Sequence, residues 1–419
     1  MISKFPIAHP GFAKTAIMSG EHNDKSVDSL NSVAVALACL LVFLVSPVFS
    51  VLICLCALTL FARYSWMFVS VLALVLALFL GLINVTKELT SDLQTYAYYF
   101  EFSSDISITE FLTLMGKEPI FFSVMHFFSA GLSSDFKLFV FALTATSYFF
   151  IFSAIQTYIR HNFADSRHAI VPIILTAFFF ELFSLSGHLI RQFLAGALVF
   201  WGLLSIQKPS RKFFIMCIAG FIHSSALFFI VVPYLQLLLG DDGKGKTRRF
   251  RVVGISALTA AFIGTLSVAS SEWSYVITRL TMKSDSFNSI HGLELQGILL
   301  LIASAFAASY MLCFVRNNSN QMLFSAVCLI TAGFSLAIAL VNELVAYRMA
   351  FYSYFFFPML TSVVIATLPF IVWSTITRFL CLFLMLRFAL KLEGGVFVFA
   401  KFEDILFSSV WTYFDPLGF

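Results

Sequence analysis

Charged residues are scarce in this chain. Asp, Glu, Lys and Arg make up 11% of its 419 residues and apolar residues 60%, whereas a soluble domain carries roughly 25% charged residues. The scarcity excludes a soluble enzyme with a solvated surface and leaves a polytopic membrane protein. Cysteine pairing is missing as well. All seven Cys lie in apolar runs and none forms a loop pair, so neither a disulfide framework nor a zinc site is indicated. Also absent are a Walker loop, a GxGxxG turn, an HExxH helix and an aspartate-pair metal motif. No cofactor, no bound metal and no nucleic-acid partner are therefore expected, and a substrate that arrives already activated, such as a lipid-linked pyrophosphate sugar, fits best.

What is present is a series of apolar runs separated by short polar stretches. They predict an all-α integral membrane bundle of about 11–13 transmembrane segments, some shorter than the roughly 20 residues a straight span needs. The bundle is expected as one domain over 31–391. A polar cytoplasmic tail is expected at 1–30, and a tail on the outer side at 392–419. Orientation follows from basic residues. Lys244, Lys246, Arg248, Arg249 and Arg251 crowd one loop, which places that loop and the N-terminus in the cytoplasm. Alternation outward from it leaves two long outer segments, at 85–134 and 271–295. Within the first, PIFFSVMHFFSAGL (119–132) is too short to span and reads as an amphipathic or re-entrant piece. Residues 213–239 lie between two inner flanks and must form a short hairpin with His223 at its tip. No internal repeat is visible, which argues against an inverted-repeat transporter.

Five polar constellations stand out against this apolar background, where ionisable side chains are costly and tend to mark reaction sites. In SDLQTYAYYF, Asp92 and Tyr96 are four apart and predict a shared helix face, suited to sugar binding or to an interfacial aromatic belt. In GKEPIFF, Glu118 precedes a proline, as an acid facing a helix N-terminus or as an acid at a cavity mouth. In GHLIRQF, His188 and Arg191 are three apart. Arg191 can snorkel, or its planar fork can hold a phosphate. In FIHSSAL, His223 is either a satisfied core residue or a general base with a pKa near neutrality. In NELVAYRMAFYSY, Glu343 and Tyr347 are four apart, as are Arg348 and Tyr352. A Glu343–Arg348 pair is one reading, and Arg348 joining Arg191 in an anion clamp is the other. All five fall on the outer side.

The order of these motifs resembles the EpsG family of Wzy-type polysaccharide polymerases. The similarity is carried in turn by GLINVTKELTSDLQTY (81–96), EPIFF (118–122), SGHLIRQFLAGAL (186–198), AGFIHSSAL (219–227) and AYRMAFYSYFFFP (346–358). One departure is Ile83, where the family commonly has Arg; a basic contact near the first outer loop is then either missing or moved to Lys87. The resemblance implies an enzyme that lengthens a glycan at the periplasmic face of a bacterial inner membrane. A chain on undecaprenyl pyrophosphate would pass to the non-reducing end of a lipid-linked repeat unit, in O-antigen, capsule or exopolysaccharide assembly. Its partners would be the bilayer, that lipid-linked oligosaccharide, and a chain-length regulator and flippase of the same pathway. Catalysis is then expected from His223, Arg191, Arg348 and Glu118, and substrate contacts from Asp92, Tyr96, His188, Gln192, Glu343, Tyr347 and Tyr352. Two other classes fit the composition: a flippase for the same lipid, which needs polar residues on both leaflets, and a membrane O-acyltransferase, which needs an acyl donor from inside.

Overall fold

The computed structural model describes residues 34, 37–60, 66–89, 92–163, 166–238, 295–314, 319–339, 343–367, 370–394, 405 and 408–414. The polar tail expected at 1–30, the basic loop and nearly all of 271–295 lie outside these residues, as does most of the chain after 394.

Every regular element among the described residues is helical. Helix α1 (Pro47–Leu60) starts at a proline directly after Ser46, where the chain breaks from the preceding helical turns. Helix α2 (Trp66–Val85) carries no charge over 20 residues, as a helix enclosed by protein and hydrocarbon requires. The outer segment expected over 85–134 contains α3 (Asp92–Ser104), α4 (Ile108–Met115) and α5 (Pro119–Gly131). Helix α5 is the short apolar piece anticipated from sequence; at about 1.5 Å per residue it reaches only about 20 Å. Helix α6 (Phe136–Asn162) is the long central one. Asp135 caps its first turn by accepting from Lys137 N at 2.8 Å. At its other end the Arg160 guanidinium sits 4.5 Å over the Trp66 ring.

The chain then breaks. Helix α7 (Arg167–Ala177) and α8 (Phe180–Ser186) meet at an angle of 57° across Phe178 and Phe179. Glu181 lies just beyond the break and takes a two-pronged ion pair from Arg387, on helix α15 (Phe370–Gly394). Helix α9 (Ile190–Ser205) follows and packs along α6, which packs on its other side against α2. Helix α10 (Pro209–Ile222) runs to His223, whose extended backbone turns the chain into a 3-10 helix (Ser224–Val231) and α11 (Val232–Leu238). This is the hairpin expected over 213–239. Eight residues is long for a 3-10 helix, a form that mid-chain often accompanies function. Helices α12 (Leu295–Phe314), α13 (Ser319–Ala339) and α14 (Glu343–Ile365) pack on one another, and α14 returns against α7 and α9.

Five of the described helices are long and apolar enough to cross a membrane, or six with the bent pair counted as one span. Shorter apolar helices, α1, α5, α9 and the second arm of the hairpin, fill the rest of the bundle. One continuous aromatic-rich core runs through them, with Tyr148, Phe193 and Tyr352 fully buried in it.

Candidate active site

Glu118 is the residue on which the site converges. It is the N-cap of α5, yet its side chain makes no capping bond. Its backbone is left-handed, with φ 55° and ψ 56°, the one positive φ of a non-glycine residue among those described. Side chains other than Gly rarely adopt that region, and a following proline disfavours it further. A cost on the order of 1–3 kcal/mol is held by the surroundings and marks functional positions. What the strain achieves is direction: the carboxylate leaves its own helix and enters a cluster drawn from four other segments.

Arg191, in the first turn of α9, donates from Nη1 to Glu118 Oε2 and from Nε to the Tyr96 hydroxyl at 2.8 Å. Its guanidinium carbon lies 5.1 Å from the Tyr96 ring, 5.9 Å from Phe121 and 5.6 Å from Phe122. The three rings form a cage that fixes the fork while its π-faces support the charge. The other oxygen, Glu118 Oε1, is 3.1 Å from His223 Nδ1 and accepts from the Ser224 backbone N–H at 3.4 Å. Ser225 lies 3.5 Å by its hydroxyl from His223 Nδ1 and bonds the Tyr352 hydroxyl at 2.8 Å. Arg348 lies on the exposed face of α14, near enough for its charge to act on His223. Its backbone carbonyl accepts from Gln192 Nε2 at 2.6 Å, so the residue next to Arg191 ties the two arginine-bearing helices together. His223 sits on the turn between helices, outside the spanning ones. Burial, then the positive charges of Arg191 and Arg348, push its pKa down to about 3, so the ring is neutral at ordinary pH.

The loop that leads into Arg191 is pinned from α2. Lys87 Nζ donates to the Gly187 carbonyl at 2.8 Å, and Asn84 Nδ2 donates to the Ser186 carbonyl at 3.1 Å and to Thr144 Oγ1 at 2.7 Å. Lys87 lies past the end of its helix, and burial lowers its pKa to about 8 against the opposing pull of Asp92.

Of the residues singled out from sequence, Arg191, Glu118, His223, Tyr96 and Tyr352 meet, with Arg348 beside them. The others are placed around this group. Asp92, the first residue of α3, is exposed while Tyr96 is buried, and its charge still acts on the Tyr96 hydroxyl. His188 lies in the loop before α9 and donates from Nδ1 to the Ser184 carbonyl at 2.7 Å, away from Arg191. Gln192 is 1% exposed and serves as the inter-helix tie. Tyr347 is half-buried against the core. The Glu343 side chain, and with it any Glu343–Arg348 pair, lies outside the described residues. Unanticipated members are Ser225, Phe121 and Phe122. Each sits within a sequence stretch already singled out, two residues past His223 or in the Phe-Phe pair that follows Glu118-Pro119-Ile120.

The profile of the EpsG family matches residues 68–394, more than half of the chain and the whole of this cluster. The chain belongs to the EpsG family. Members of the EpsG family are Wzy-type polysaccharide polymerases, so the general activity is glycan polymerisation by a multi-pass membrane protein. Neither a curated protein nor a solved structure is a significant match to the chain.

Proposed function

We propose that this EpsG-family polymerase transfers a growing glycan from undecaprenyl pyrophosphate to the non-reducing end of a lipid-linked repeat unit, at the periplasmic face of the bacterial inner membrane. The observation that carries the reading is the meeting of Arg191, Glu118 and His223 from three distant segments, with Arg348 alongside. Two guanidiniums near one neutral imidazole supply what the transfer needs. The acceptor hydroxyl attacks the anomeric carbon, and the bond to the pyrophosphate oxygen breaks. Negative charge grows on the leaving pyrophosphate, where Arg191 and Arg348 stabilise it by oriented donors. His223 takes the acceptor proton. Tyr96, whose hydroxyl accepts from Arg191, holds that guanidinium in place for the donor.

Complementation of a strain lacking the gene tests this through the glycan ladder on a gel. Arg191→Ala and Arg348→Ala are expected to leave single repeats on the acceptor at normal protein level. Full-length polymer from both variants overturns the clamp. A strain that exports no repeat unit at all identifies a flippase, and full-length but unmodified polymer identifies an acyltransferase.

A further inference from the structure

Two groups with opposite demands, beside the Ser225 hydroxyl that can serve either, meet one ring nitrogen in this site. His223 Nδ1 lies 3.1 Å from Glu118 Oε1, an acceptor. It also lies 3.4 Å from the Ser225 backbone N–H, a donor, in the contact by which His223 caps the 3-10 helix. The carboxylate requires a hydrogen on Nδ1, and the amide requires a lone pair there. A neutral imidazole has a single N–H, so whichever group prevails also decides the state of Nε2. With Nδ1 bare, Nε2 carries the hydrogen and cannot accept another. With Nδ1–H given to Glu118, Nε2 is bare, and the carboxylate raises its proton affinity above that of the buried ring alone. Nε2 has no hydrogen-bond partner among the described residues.

Glu118 is divided between two partners. Oε2 is held by Arg191, while Oε1 is shared by His223 and the Ser224 N–H. A carboxylate is drawn more strongly to a guanidinium than to a neutral ring. An arriving phosphate or pyrophosphate offers Arg191 several acceptor oxygens with more charge than one carboxylate oxygen. We propose that Glu118 is a tautomer switch thrown by the anionic donor: pyrophosphate takes Arg191, Glu118 turns to His223 Nδ1–H, and Nε2 is left bare as the base. This rests on the reading that Arg191 binds the donor pyrophosphate. The switch moves one proton within the imidazole, by exchange with water, and consumes none. In the transfer, the acceptor O–H breaks toward Nε2 and its oxygen bonds the anomeric carbon. The C–O electron pair leaves with pyrophosphate. The resulting imidazolium rests against the Glu118 carboxylate and returns its proton to water. Acceptor activation thereby waits for a bound donor.

The test is ¹⁵N NMR of the full chain in nanodiscs with labelled histidine, the His223 signals identified by their loss in His223→Asn, titrated with farnesyl pyrophosphate. Expected is a change from the Nε2–H to the Nδ1–H tautomer on saturation, absent in Glu118→Gln although that variant still binds the probe. Binding that depends on Arg191 without a change of tautomer overturns the switch and leaves the polymerase reading intact. No binding, or binding that Arg191→Ala does not weaken, overturns that reading and the switch together. A response in Glu118→Gln equal to the wild type also overturns the switch. The wild-type titration is decisive alone, so a variant that fails to fold does not remove the test.

Discussion

At the scale of single residues, Glu118 exchanges backbone comfort for position. Its left-handed φ 55° is unfavourable for any side chain with a Cβ, by about 1–2 kcal/mol. Glycine occupies that region freely. Glu118→Gly and Glu118→Ala both delete the carboxylate and differ only in that Cβ. Glu118→Gly is therefore expected to unfold at a higher temperature than Glu118→Ala, by an amount matching about 1 kcal/mol, while neither makes polymer. Equal stability of the two in a thermal melt would show that the strain is not present in the protein. Glu118, Arg191 and His223 were each legible in the sequence, because an ionisable side chain among Phe and Leu has to be justified by a partner or a task. Their mutual contacts were not. Glu118 lies 73 residues from Arg191 and 106 from the Ser224 amide it accepts from, and only the packing of α5 and the hairpin brings them together.

At the scale of elements, the placement of Arg191 depends on the short loop between α8 and α9. A Cβ on Gly187 would lie 2.7 Å from Asn84 Oδ1 and 2.9 Å from Lys87 Cδ. Lys87 can yield, but Asn84 is held by Thr144 and the Ser186 carbonyl. Gly187→Ala must displace the loop, and overpacking of this kind costs about 1–3 kcal/mol. The expected result is a lowered melting temperature and a shortened glycan ladder. A variant with wild-type ladder and melting temperature would show that the loop is not pinned from α2. Helix lengths were readable from the apolar runs. The break between α7 and α8 was not, since FFF ahead of Glu181 continues the apolar run. Glu181 was itself a signal, as the one acid in that run. Its partner Arg387 stands 206 residues away, a separation no local pattern encodes.

At the scale of the whole molecule, composition settled the class and the order of motifs indicated the family, which the match over 68–394 bears out. The helical bundle followed from composition because a backbone in hydrocarbon must satisfy its own hydrogen bonds. Spacing within a motif was a poorer guide. Asp92 and Tyr96 are four apart as a shared face demands, yet one is exposed and the other buried. The bundle arranges α3, α5, α9, α14 and the hairpin so that one carboxylate joins the aromatic cage to the imidazole. The central claim is that Arg191 acts on the leaving pyrophosphate. It is tested most directly by the single-turnover rate of glycan transfer in reconstituted bilayers, comparing wild type with Arg191→Ala at saturating lipid-linked donor. Loss of one such oriented donor is expected to slow transfer on the order of 10²–10³-fold. A folded variant that transfers at the wild-type rate contradicts the account.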